Sequence, residues 1–161
     1  MLISLLASFL LASCDRKERM AKMAEENIFR TVEHPEGLRI TAVSEPDSSF
    51  GISYLSQKEV NAMTTLMGQV TDVIMKRTGN MTEFNPDDRY VMDLAERQMR
   101  AMAELRSMIG KNNEKGEFSG WRLRVDYETD DGNGNTRRAE RWLFFDKKGR
   151  NILKSFELPL P

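Results

Sequence analysis

Two chemically versatile side chains are nearly missing from this sequence, which has one cysteine and one histidine in 161 residues. A single cysteine excludes a disulfide within the chain, so the fold must be held together by packing alone. A single histidine argues against a catalytic triad or a histidine-based metal site, which would need partners and usually a second imidazole. Because His34 precedes Pro35 where a helix is expected to give way to a strand, we interpret it as a surface turn residue.

An excess of charge of either sign is missing as well. The formal net charge is −1, although 30% of the residues are charged. Nucleic-acid binding usually appears as a basic excess, so no nucleic-acid partner is expected. The sequence also lacks a glycine-rich phosphate loop, a nucleophile elbow and an H-E-x-x-H pattern, and we expect no cofactor and no metal. With 40% hydrophobic residues, the composition fits an ordinary globular domain with one core.

What is present is an uncharged apolar run over residues 2–11, followed directly by the only cysteine. The run has the length of the hydrophobic part of a signal peptide and is too short to span a bilayer. The segment Leu11-Ala12-Ser13-Cys14 resembles the lipobox of bacterial lipoproteins. The resemblance implies that residues 1–13 are a signal peptide, that Cys14 becomes lipidated, and that the membrane is a partner of the protein.

The same resemblance implies a lipid-anchored protein of the bacterial cell envelope. It leaves open whether the anchor lies in the inner membrane, the outer membrane or the cell surface. Residues 14–19 are predicted to be a tether, and residues 20–161 a single domain. The alternative is a cleavable signal or an N-terminal anchor in which Cys14 is an accidental small residue.

The most regular patterns in the sequence predict a pair of helices. Ser56 and Glu59 have the spacing of a capping box, and apolar residues three and four apart continue from there to Ile74. A second helix is predicted to open at residues 85–88, where Asn-Pro-Asp-Asp suits a helix start, and to end at Gly110. The short loop between the two predicts antiparallel neighbours.

Beyond residues 111–119 the hydrophobic pattern changes from that of a helix to that of a strand. A three-stranded antiparallel meander is predicted, with strands at 121–128, 138–145 and 152–158. An amphipathic helix at 20–32 and strands at 38–43 and 50–55 precede the helical pair. The class is α+β, with the helical pair packed on one face of the meander. This order of elements resembles the cystatin-like and NTF2-like groups of small α+β folds, and also small outer-membrane assembly lipoproteins.

Two further patterns are compatible with metal binding, and each has a simpler explanation. Asp131-x-Asn133-x-Asn135 begins like a calcium loop, but Thr136 and Trp142 stand where an EF-hand needs glycine and glutamate. A hairpin turn accounts for the same Asp, Gly and Asn residues. The eleven methionines could offer thioethers to Cu(I), but several stand at helical spacing and are expected to pack in a core.

The strongest indication of a functional surface lies in the predicted strand 141–145. Trp142 and Phe144 point to one side of the strand, and the residues between them point to the other. Because the helical pair can bury only one side, the face with Trp142 and Phe144 is expected to stay at least partly accessible and to serve as an interaction surface. Arg122 or Arg124 of the neighbouring strand would then be its cation–π partner. The alternative is that the helix 20–32 or the region 38–55 covers this second face.

These observations together predict a membrane-tethered envelope lipoprotein whose domain is a non-enzymatic module that binds an envelope protein or a small ligand. The alternative is a small envelope enzyme or enzyme inhibitor with its site in the groove between helices and sheet. A deep polar pocket with convergent carboxylates would favour the enzyme, whereas a flat aromatic patch would favour the binding module.

Overall fold

The computed structural model describes residues 3–111 and 114–161, and the side chains of residues 15–110 and 114–161. The first two residues of the predicted signal peptide and the side chain of Cys14 lie outside this description. The elements are α1 (Ile3–Thr31), a 3-10 turn (Pro35–Gly37), β1 (Arg39–Val43), β2 (Asp47–Ser49), α2 (Gln57–Arg77), α3 (Arg89–Lys111), β3 (Gly120–Asp130), β4 (Thr136–Phe145) and β5 (Ile152–Leu160). The predicted α+β class is confirmed. Within the described residues, no helix is long and apolar enough to cross a membrane.

One antiparallel sheet has the strand order β1-β3-β4-β5, and β2 also pairs with β3. The predicted meander is present, with Leu123 opposite Leu143 and Trp142 opposite Phe156. The predicted strand at 50–55 is wrong, because β2 lies earlier, between the two strands that the sequence predicts. Since β3 is 11 residues long, β1 and β2 can follow one another along its edge instead of pairing as a hairpin.

The helical pair forms largely as predicted. Ser56 caps α2, with both halves of the capping box present, and Thr78 ends the helix. The third helix begins at Arg89, later than predicted, because Asp88 accepts a hydrogen bond from the Val91 amide (3.2 Å) at the helix start. Asn85 instead closes a separate turn, in which its side chain accepts a hydrogen bond from the Asp87 amide (2.9 Å).

Helices cover both faces of the sheet. On one face, α2 and α3 pack on β4 and β5, and their core includes Met67, Leu94 and Leu105. On the other face, α1 contributes Met20, Ala24 and Ile28, which pack against the central strands. The alternative raised by the sequence is correct in part: the N-terminal helix covers the face that the helical pair leaves free, but that face carries Leu143 and Phe145, and the helical pair covers Trp142 and Phe144.

The N-terminal helix is longer and more closely docked than the sequence predicts. Residues 14–19, predicted to be a tether, belong to α1. Arg16 stacks over Trp121 at 4.3 Å, and Lys17 pairs with Glu45. Arg19 donates hydrogen bonds to main-chain carbonyls of the β4–β5 turn. These contacts are long-range, so the sequence pattern alone could not place the start of the docked helix.

Candidate functional site

The predicted aromatic surface does not form, because α2 and α3 cover the side to which Trp142 and Phe144 point. Phe144 is 0% exposed and its ring lies 6.2 Å from that of Phe156, so its predicted accessibility is wrong. Trp142 is partly exposed and stacks on Phe156 at 6.2 Å. Its indole N–H donates to the Glu140 carboxylate (2.6 Å). Both aromatics therefore belong to the helix-facing core of the sheet.

Arg122 and Arg124 lie beside these aromatics, as expected for the neighbouring strand, with Arg122 opposite Phe144 and Arg124 opposite Trp142. Their guanidinium groups are bound by carboxylates. Arg122 pairs with Glu59 (2.8 Å) and Asp47 (2.6 Å). Arg124 lies 3.5 Å from Glu140 and 3.8 Å from Asp126. The two arginines therefore tie β3 to its surroundings and do not frame an exposed aromatic face.

The Asp131 segment forms the β3–β4 hairpin. The Asp131 carboxylate accepts hydrogen bonds from the Asn133 amide (2.8 Å), the Asn135 amide (3.0 Å) and the Asn135 side chain (2.8 Å). Partial burial raises the pKa of Asp131, but these donors outweigh it and lower the pKa to about 2. The carboxylate oxygens thus serve the turn itself. Among the described residues, no cluster of three or more His, Cys, Asp or Glu side chains could hold a metal ion.

A polar cleft opens between the end of α1, the middle of α3 and the edge strand β5. It has a volume of about 530 Å³. Residues 31–33 form one wall and residues 93–104 of α3 form the other. The sheet residues Tyr127, Arg141 and Glu157 line its floor. This cleft is the groove between helices and sheet that the sequence predicts for the alternative, enzymatic function.

A buried ionic cluster forms the floor of the cleft. Arg141, which is 9% exposed, donates hydrogen bonds to Glu157 (2.7 Å), to the Tyr127 hydroxyl oxygen (3.1 Å) and to Thr31. The Tyr127 hydroxyl in turn donates to Glu157, at the same carboxylate oxygen that Arg141 binds. The Nε–H of Arg141 is buried and has no acceptor in the described part of the chain. A buried donor without a partner costs free energy, so the described residues do not satisfy every donor of the cluster.

The cluster continues towards the rim of the cleft as a row of alternating charges. Arg97 of α3 donates to Glu157 (3.1 Å) and to the Arg138 carbonyl (2.8 Å). Asp93 lies 3.7 Å from Arg97 and 2.7 Å from Arg137, which also reaches Glu33 (2.6 Å) beyond the end of α1. The row therefore joins α1, α3 and the sheet across the cleft.

The ionisation states of Glu157 and Tyr127, on the floor of the cleft, follow from these contacts. Burial would raise the pKa of Glu157, but Arg97, the Tyr127 hydroxyl and Arg141 together lower it below its usual value. Burial, and then the charge of Glu157, raise the pKa of Tyr127 above its usual range. At neutral pH Glu157 is therefore ionised and Tyr127 is protonated.

Sequence reasoning did not identify the residues that line this cleft, although part of the signal was present. Arg141 stands on the same strand face as Leu143 and Phe145, so it is a charged residue within a buried stripe. A buried charge requires a partner. The missing information was the identity of that partner, since Glu157 comes from the next strand and Arg97 from a helix.

Comparison of the chain with protein-family models, with curated proteins and with solved structures gave no match. The fold and the geometry of the cleft are therefore the basis for a functional proposal. The similarity of element order to cystatin-like and NTF2-like folds stays an expectation.

Proposed function

We propose that this protein is a lipoprotein of the bacterial envelope, anchored through Cys14, whose domain binds its ligand or partner in the cleft above Arg141 and Glu157. The observation that carries the proposal is an open cleft whose floor is a preorganised, buried ionic cluster. Charged groups held in place by one another offer donors and acceptors at defined positions, and such groups give polar ligands orientation and specificity.

The charges of the cleft indicate the kind of occupant. Its described lining has five carboxylates, one of which pairs with Lys154 outside the cleft, and four guanidinium groups. The occupant that fits a nearly balanced lining has little net charge and carries both donors and acceptors. A segment of a partner protein or a small zwitterion has these properties.

The enzymatic alternative requires a group that transfers a proton near neutral pH. The lowered pKa of Glu157 and the raised pKa of Tyr127 keep both groups in one protonation state there. These shifts favour binding over acid–base catalysis at the floor of the cleft.

The anchor predicts a clear result for Cys14→Ala. Without a thiol to carry lipid, the protein is expected to lose the mass of the acyl chains and to leave the detergent-dependent membrane fraction, because lipid anchors hold a protein through buried CH₂ groups. Fractionation and intact-mass measurement check this. Lys22→Ala, which keeps both the thiol and the lipobox, is the control. Wild-type protein without acyl mass would contradict the anchor.

The cleft predicts position-dependent crosslinking. If the occupant is a protein, a photocrosslinking amino acid in place of Arg100, on the rim of the cleft, is expected to capture one discrete protein in living cells. If the occupant is a small zwitterion, it is expected to co-purify with the wild-type protein. The same amino acid in place of Lys22, on the exposed side of α1, is the matched control. Equal capture from both positions, with no co-purifying small molecule in native mass spectra, would refute the proposed binding site.

A further inference from the structure

We propose that the end of the domain beside Cys14 rests on an anionic lipid surface through five cationic side chains, which we name the basic end: Arg16, Arg19, Lys147, Lys148 and Arg150. This inference rests on the proposed lipid anchor and adds an orientation to it. The basic end is assembled from the start of the docked part of α1 and from the tight turn between β4 and β5.

The turn is held firmly against α1. Arg19 donates hydrogen bonds to the carbonyls of Lys148 and Gly149, both at 3.4 Å. Gly149 has a φ of 62° and lies so close to Met20 that a Cβ there would be 3.0 Å from the methionine sulfur. Close packing of the glycine on the helix therefore places Lys147 and Lys148 beside Arg19.

An aromatic side chain joins the two parts of the basic end. The Arg16 guanidinium lies 4.3 Å from the centre of the Trp121 ring, and the Trp121 indole N–H donates to the Lys147 carbonyl (3.1 Å). Leu153, next to the same turn, is 52% exposed. Tryptophan with basic and apolar neighbours is the combination found at the level of lipid headgroups.

Three carboxylates near the basic end are already engaged, whereas Glu18 of α1 is exposed and has no ion pair among the described residues. The Asp146 carboxylate accepts hydrogen bonds from the Arg150 amide (2.8 Å) and the Asn151 side chain (2.7 Å). Asp15 pairs with Arg19 at 3.6 Å, and Glu45 pairs with Lys17. Lys147, Lys148 and Arg150 are exposed and make no ion pair with any other described residue. The surface therefore presents cations to the surroundings.

The distance of these cations from Cys14 along α1 determines how close they would lie to the lipid headgroups. Arg16 and Arg19 follow Cys14 in the same helix, so they stand about 3 and 8 Å along the axis from it. Lipid inserted at Cys14 would bring the basic end to the headgroups, where lysine and arginine are attracted by anionic lipid. Thr31, at the cleft, is about 25 Å along the axis from Cys14, so the cleft would face away from the membrane.

The test compares the full lipidated protein in nanodiscs of phosphatidylglycerol and of phosphatidylcholine by hydrogen exchange. Amides of residues 146–153 are expected to exchange about tenfold more slowly on phosphatidylglycerol, and high salt should remove the difference. Lys147→Ser with Lys148→Ser is expected to abolish it. Arg30→Ser with Lys76→Ser, which removes two exposed cations elsewhere, should leave it unchanged.

The intact mass of each preparation separates the two proposals. If Cys14 carries lipid and exchange is the same on both lipids, or if the two double variants behave alike, the basic end is refuted while the anchor stands. If the mass shows no lipid, the anchor is refuted. The proposal that the basic end binds anionic lipid is then supported if the wild type, but not the Lys147/Lys148 variant, sediments with phosphatidylglycerol vesicles, and refuted otherwise.

Discussion

Replacing Phe144 with alanine is expected to lower the free energy of unfolding by about 3–5 kcal/mol, the usual cost of removing a buried phenylalanine ring. Phe144 is 0% exposed and lies in the core between the sheet and the helical pair, against Phe156. Truncation removes apolar surface from that core and leaves a cavity that α2 and α3 can fill only by moving. Chemical denaturation of wild type and variant measures the loss.

The control for this prediction is Phe29→Ala, which removes the same atoms from a ring that is 54% exposed on α1. It is expected to change the free energy of unfolding by less than about 0.5 kcal/mol, as surface substitutions usually do. If the two variants unfold alike, Phe144 does not lie in a packed core. The aromatic surface considered from the sequence would then return as a candidate interface.

Replacing Glu157 with glutamine is expected to cost about 3–5 kcal/mol, the range for removing one partner of a buried ion pair. Glutamine keeps the size of the side chain but removes the charge that compensates Arg141 and Arg97. The buried guanidinium of Arg141 would then lack a counter-ion. Glu96→Gln is the matched control, because Glu96 forms only an exposed pair with Arg100, and such pairs contribute about 0–1 kcal/mol.

The contribution of Glu157 also predicts a dependence on pH. Its pKa is lower in the folded protein than the ordinary value of 4.5, so its carboxylate stabilises the fold above that pH. The stabilisation is lost as the pH falls below 4.5 and through the folded pKa. The difference in unfolding free energy between wild type and Glu157→Gln should therefore be constant from neutral pH down to about 5 and shrink in more acidic solution. A difference that does not shrink would show that the cost of the substitution does not come from the loss of the Glu157 charge.

The local parts of the fold could be predicted from the sequence because their determinants are close in the chain. The capping box of Ser56 and Glu59, the apolar spacing of α2 and the alternation of β3 and β4 depend on residues a few positions apart. These signals were sufficient for the α+β class, the helical pair and the meander. They predicted that an arginine of the neighbouring strand would lie beside the aromatics of β4, but the register that places Arg122 and Arg124 there came from the structure.

Only the tertiary structure decided which helix covers which face, and with that the candidate site. Strand alternation shows that β4 has two apolar faces but does not say what packs on either, so the exposure of Phe144 could not be derived from it. The cleft depends on contacts between α1, α3 and three strands, with Arg141 meeting Thr31 across 110 positions of the chain. Such contacts are chosen by the packing of whole elements and leave no local pattern, so the sequence alone determined the elements, and their packing determined the site.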